Sequence, residues 1–148
     1  TVIKHIPGHG STSKDSHKEL PIINKSVSKL MKSDFSTFFN SKSFFAMTAH
    51  VVYKKFDKDN VTTFSNTLIK EIIRNKMKFN GILISDDISM SALSPNLISN
   101  ASKSLKSGCN LALYCAGKYS ESLKLLKAIP FVDKFTQKKT SEFYKFLS

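Results

Sequence analysis

Four short apolar runs punctuate the chain, and each stops abruptly at polar or ionisable residues: Val2-Ile3 before Lys4-His5, residues 44–47 before Thr48-Ala49-His50, residues 82–84 before Ser85-Asp86-Asp87, and residues 111–114 before Cys115. Short uninterrupted runs of this kind are the pattern of strands buried on both faces. Between them the period changes to that of helices, over residues 25–39, 65–78, 96–107 and 120–128. The second of these is the clearest. Leu68, Ile69, Ile72, Ile73 and Met77 form one apolar stripe, Lys70, Glu71, Arg74 and Lys78 face away from it, and Ser65 stands where an N-cap belongs. Successive strand ends are separated by 29 to 45 residues, room for a crossover helix and its loops. The pattern predicts an α/β chain with a parallel sheet. Functional groups in such sheets gather at the carboxyl ends of the strands, so Lys4, His5, His50 and Asp86 are expected to converge on one rim.

The stretch from Lys4 to Pro21, KHIPGHGSTSKDSHKELP, holds three of the four histidines. Pro7, Gly8 and Gly10 break regular structure and place His9, Asp15 and His17 on a loop above the strand ends. Asp15 precedes His17 by two residues, so its carboxylate can orient the ring and stabilise its protonated form. A zinc ion held by His5, His9, Asp15 and His17 is disfavoured by Lys4 beside them and by the absence of an HExxH or paired-cysteine pattern. No metal or cofactor is expected. No serine sits in a GxSxG elbow. Asp86 and Asp87 follow an Ile-Leu-Ile strand after a single serine, and ionised carboxylates beside a core are costly unless used or paired.

The whole chain of 148 residues fits one domain. Its apolar runs fall far short of a membrane span and no signal pattern opens it, so it reads as a soluble chain with no membrane partner; the cytoplasm is its expected location. It begins at Thr1, so an upstream part is expected to have been removed or never sequenced. The net charge of +12 comes from 23 Lys+Arg against 11 Asp+Glu, with Arg74 the single arginine. Lysines scattered among Ser, Asn, Ile and Phe reflect composition more than phosphate recognition, and no nucleic acid is expected as a partner. Cys109 and Cys115 lie too far apart to bridge on one strand and read as two buried thiols in a reducing compartment.

Four segments carry a family resemblance: KHIPGHGSTSKDSHKELP, FFAMTAHVVY, FNGILISDDISMSAL and SGCNLALYCAG. In order and spacing they resemble family 3 glycoside hydrolases of the bacterial β-N-acetylglucosaminidase (β-hexosaminidase) type, which act in peptidoglycan recycling. The resemblance implies a partial (β/α)8 TIM barrel, approximately βα units five to eight, with residues 1–148 as the carboxyl-terminal half of that family's amino-terminal-type catalytic barrel. It implies retaining hydrolysis of terminal β-linked N-acetylglucosamine, in muropeptide or chitin-type saccharides, through a covalent glycosyl-enzyme and without a cofactor. Asp86 matches the nucleophile and His17 the general acid/base, held by Asp15. Lys4 and His5 match binders of sugar hydroxyls, His50 a position near the pocket that could equally be structural, and Met90 part of the wall around the acetamido group. Asp87 is expected to accept a loop amide, His9 to brace the loop and Arg74 to pair structurally. The chain departs from the family in length, in lacking the half that carries an aspartate and an arginine gripping distal hydroxyls, and at Ile6, Asn80 and Asn110. Two other readings stand beside the enzyme: an inactive truncated remnant or half of a split enzyme completed by an amino-terminal chain, and a Lys-rich module that binds acidic polymers.

Overall fold

The computed structural model describes residues 1–12 and 19–148. Asp15 and His17 lie outside the described residues. Strands β1 (Val2–Ile6), β3 (Phe45–Thr48) and β5 (Ile82–Ile84) form a sheet in the order β1-β3-β5, while β2 (Ile22–Ile23) and β4 (Val52–Tyr53) form a second, two-stranded pair. Every pairing is parallel. In the main sheet Ile3 lies beside Ala46 and Ala46 beside Leu83, and these face the principal core of Leu30, Phe35, Leu68, Ile72, Ile73 and Met77. The register skips between Lys4 and Ile6, a bulge that leaves His5 unpaired and re-aims its side chain.

The helices follow the apolar stripes, with local departures. Residues 25–39 give a short α1 (Val27–Lys32) and a 3-10 turn over Ser36–Phe38. The Ser33 and Ser36 hydroxyls there donate to the carbonyls of Lys29 (2.9 Å) and Ser33 (2.6 Å), competition that interrupts a regular helix, and buried Phe35 turns inward to meet the Tyr53 ring edge-on at 5.2 Å. The helix Leu68–Lys76 is π-wound, ending in a Met77 N–H bond to the Ile72 carbonyl (2.8 Å). Its stripe is buried as expected, and the Ser65 hydroxyl accepts the Leu68 N–H (3.2 Å). Helix α2 (Leu97–Ser107) is capped by Asn96 and ends at Gly108 with φ 115°, and α3 spans Tyr119–Ala128.

A last helix, α4 (Lys134–Leu147), has no counterpart among the expected elements. Asp133 caps it, and Phe143 packs against Phe44 (5.3 Å) and Phe45 (4.9 Å), covering the start of β3. The run 111–114, expected as a full strand, is reduced to one parallel bridge between Ile84 and Leu111. Backbone bonds run from the Asn110 N–H to the Leu83 carbonyl (2.7 Å) and from the Ser85 N–H to the Leu111 carbonyl (2.9 Å), and side chains fill the places between them: Asn110 Oδ1 accepts the Leu83 N–H (2.8 Å) and Ser85 Oγ accepts the Leu113 N–H (2.9 Å). The reading of two buried thiols is corrected as well, because Cys109 is buried and Cys115 is exposed. Burial pushes the Cys109 thiol up to about 12. Among the described residues no helix is long and apolar enough to cross a membrane.

Candidate active site

The bulge of β1 and the end of β5 set two side chains face to face. His5 Nε2 lies 3.7 Å from Asp86 Oδ2, with the side chains 32% and 14% exposed, so both reach the rim without being free in solvent. Burial holds His5 below the ordinary histidine value, outweighing the attraction of Asp86, and Lys4, His9 and His50 push it the same way. His5 is therefore a neutral hydrogen-bonding ring at pH 7. Lys4, His5 and His9 also border an open depression of about 360 Å³ shared with Ser33, Asp34 and Thr37, and Asp86 is not part of its lining; the His5 and His9 rings stand 5.9 Å apart.

The turn at Gly8, beside the depression, is held from below. The Tyr53 hydroxyl donates to the Gly8 carbonyl. Gly8 has φ 151°, and a Cβ on it would stand 2.5 Å from the Asp34 Cβ, so the turn that opens the histidine-rich loop requires glycine there.

Asp86 and Asp87 have separate surroundings. Asp86 Oδ1 accepts the Asp87 N–H (2.8 Å), and the Asp86 N–H donates to Thr48 Oγ1 (3.3 Å). Asp87 is occupied structurally: its carboxylate accepts from the Ser89 N–H (3.0 Å), the Ser89 hydroxyl (2.7 Å) and the Cys115 N–H (3.1 Å), tying the 111–115 segment to the end of β5. Of the adjacent carboxylates, Asp86 is the one presented to the rim beside an imidazole.

The other expected site residues divide by burial. His50 is fully buried behind Asp86, with Nδ1 2.8 Å from Thr63 Oγ1 and Nε2 3.0 Å from the Asp87 carbonyl. Met90 is 7% exposed, in the turn after β5. Lys4 is exposed at the rim. Arg74 is structural, as expected: its guanidinium donates to the carbonyls of Phe79 (3.1 Å) and Gly81 (2.7 Å) and to Asn110 Oδ1 (2.8 Å). The residues that sequence reasoning passed over are Thr48 and Thr63, both fully buried and in contact at 2.9 Å beneath Asp86. Thr48 closes an apolar run like any polar residue and Thr63 stands 15 positions away, so nothing local in the sequence marks the pair. Among the described residues no group of three His, Cys, Asp or Glu side chains is placed to hold a metal ion.

The chain has relatives among known proteins. A β-hexosaminidase of Psychromonas ingrahamii is 32% identical over 147 residues, covering 95% of this chain and 41% of the relative. Among solved structures, CbsA of Thermotoga neapolitana matches with TM-score 0.81 and 34% identity over 99% of this chain and 37% of its own. NagZ of Neisseria gonorrhoeae, solved in complex with N-trifluoroacetyl-D-glucosamine, matches with TM-score 0.81 and 28% identity over 93% of this chain and 41% of its own. The chain thus spans about two fifths of the relatives it matches. The family model that it fits, over residues 1–140, is the glycosyl hydrolase family 3 N terminal domain, and the chain belongs to that family.

Proposed function

We propose that this chain supplies the reacting groups of a retaining β-N-acetylhexosaminidase acting on terminal β-linked N-acetylglucosamine. The observation that carries the reading is Asp86, held at the carboxyl end of β5 with its carboxylate 3.7 Å from His5, in a chain 32% identical to a β-hexosaminidase. In this reaction Asp86 attacks the anomeric carbon, the bond to the leaving oxygen breaks, and His17 gives that oxygen its proton. His17, oriented by Asp15, then takes a proton from the water that releases the sugar from Asp86. Lys4 and the neutral His5 bind sugar hydroxyls, and Met90 forms part of the wall for the acetamido group. The two steps balance without a cofactor. The proposed substrates are saccharides containing N-acetylglucosamine, of the muropeptide or chitin type, and the proposed setting is muropeptide recycling in the cytoplasm.

The same reading assigns the chain to approximately βα units five to eight of a (β/α)8 barrel. Two observations favour its acting as one half of an enzyme: the matched relatives are more than twice as long, and large apolar side chains, Phe131 fully and Phe146 at 72%, face solvent. Release of p-nitrophenol from p-nitrophenyl N-acetyl-β-glucosaminide tests the assignment, with the chain alone and with the remaining barrel units of a relative added. Turnover is expected to fall by at least about three orders of magnitude in Asp86→Ala and strongly in His17→Ala. An Asp86→Ala protein that hydrolyses at the wild-type rate overturns the nucleophile assignment.

A further inference from the structure

Arg74, the single arginine of the chain, carries a charge that no group bonded to it matches. Its three hydrogen bonds go to neutral acceptors: Nη1 donates to the carbonyls of Phe79 (3.1 Å) and Gly81 (2.7 Å), and Nη2 donates to Asn110 Oδ1 (2.8 Å). The rings of Phe79 and Phe135 lie 5.5 and 5.6 Å from its Cζ, an attraction that supplies no net charge either. Among the described residues no carboxylate forms an ion pair with it. The side chain is only partly exposed, and burial works against its charge by more than nearby Cys109 and Asp133 offset. A charge withdrawn from water in this way is costly unless an opposite charge meets it.

Of the five N–H donors of an arginine, these bonds engage three. The Nε–H and one Nη2–H have no acceptor among the described residues, and such neighbouring donors match two oxygens carried on one atom. Arg74 lines a cavity of about 330 Å³ together with Asn66, Lys70, Asn80, Asn110 and Asp133, far more room than the roughly 30 Å³ that one water takes up. Lys70 adds a second positive charge to the wall. Asp133 is the one acid on it, and its carboxylate is engaged in capping α4, where Oδ1 accepts the Thr136 N–H at 2.7 Å. The cavity lies beside Asn80, ahead of β5, whereas Asp86 follows the carboxyl end of that strand. It is therefore separate from the candidate active site.

We infer that Arg74 anchors a binding site for a small free oxyanion, a phosphate or carboxylate group whose oxygens take the Nε–H and the remaining Nη2–H, with Lys70 as the outer cation. Bound there, the oxyanion supplies the missing charge and joins the π-wound helix to the start of α4. Because the chain has one arginine, its Nε–H gives the sole arginine side-chain signal in a proton–nitrogen spectrum of the labelled 148-residue chain. Sodium phosphate or sodium acetate, added at pH 7 with ionic strength held constant by sodium chloride, is expected to move that signal saturably. The thermal midpoint should rise by about 3 °C when the salt stands at roughly ten times its Kd. A response to phosphate alone identifies a phosphoryl ligand, and a response to acetate alone a carboxylate. Asn110→Asp sets a fixed carboxylate against Nη2 and should weaken binding by at least about tenfold. Asp133→Asn keeps a capping residue and removes the acid from the wall, so it should tighten binding about threefold. An Arg74 signal that neither salt moves, or that sodium chloride alone moves equally, overturns the inference even if a variant fails to fold. So does oxyanion binding of undiminished strength in Asn110→Asp.

Discussion

His5 and His50 show what identical residue types at matching places do when their surroundings differ. Both follow an apolar run, but the bulge in β1 sends His5 to the rim while His50 turns inward against Thr63 and the Asp87 carbonyl. The His5 environment has a consequence for stability. Its folded value lies below the ordinary 6.5, chiefly through burial. Above 6.5 both folded and unfolded chains carry it neutral and it contributes nothing to the pH dependence; as pH falls through that value the unfolded chain binds the proton first, and the folded state loses stability. Thermal unfolding at pH 7.5 and 5.5 is therefore expected to show a smaller acid-induced drop for His5→Asn than for wild type. An identical drop in the two proteins would mean that His5 is not held neutral by its site. The sequence pointed to the rim through the residues that close each run, but the difference between a rim histidine and a buried one depends on a bulge and on a threonine 13 residues away, neither of which has a local signature.

At the scale of elements, legibility followed how much of each element's stability is local. Residues 65–78 and 96–107 were readable because a stripe of apolar side chains and a capping Ser or Asn are local features. The π-winding of Leu68–Lys76 was not, since burial of the stripe is compatible with either winding. The fourth strand is less regular than its apolar run suggests: backbone bonds join Asn110 to Leu83, Ser85 to Leu111 and Ile88 to Leu113, but side chains of Asn110 and Ser85 take the places between them, and only Ile84 and Leu111 form a bridge. Asn110 is the centre of that arrangement. Its Oδ1 accepts from the Leu83 N–H and from Arg74, and its Nδ2 donates to Thr136 Oγ1 at 2.9 Å, joining β5, the π-wound helix and α4. Asn110→Ala leaves the Leu83 amide and one arm of Arg74 without their acceptor, and a loss of about 2 to 3 kcal/mol is expected in urea unfolding. Asn110→Asp, which keeps both acceptor contacts, should cost less. Equal losses in the two variants would mean that the bond to Thr136 carries the effect.

The whole molecule presents a sheet covered well on one side and poorly elsewhere. Ala46 and Leu83 face a continuous core, while the outer edge of β1 pairs with nothing among the described residues and Tyr119, Leu126, Phe131 and Phe146 are 70% or more exposed. Unpaired parallel edges and apolar surface of this kind invite association. In the proposed half barrel, the natural occupant is the remainder of a relative-length chain, which would pair the free edge and cover the apolar side chains. Such an occupant binds only the folded half, so it must stabilise it: at a concentration about a hundredfold above its Kd the gain is about 2.7 kcal/mol. Titrating the first four barrel units of a relative into this chain is expected to raise its thermal midpoint in proportion to the logarithm of their concentration. Fluorescence of an apolar-surface dye should fall over the same range, and hydrolysis of the p-nitrophenyl substrate should appear with it. A midpoint and dye signal indifferent to the added half would show that the exposed face is not an interface for those units, whatever the fate of the rim residues.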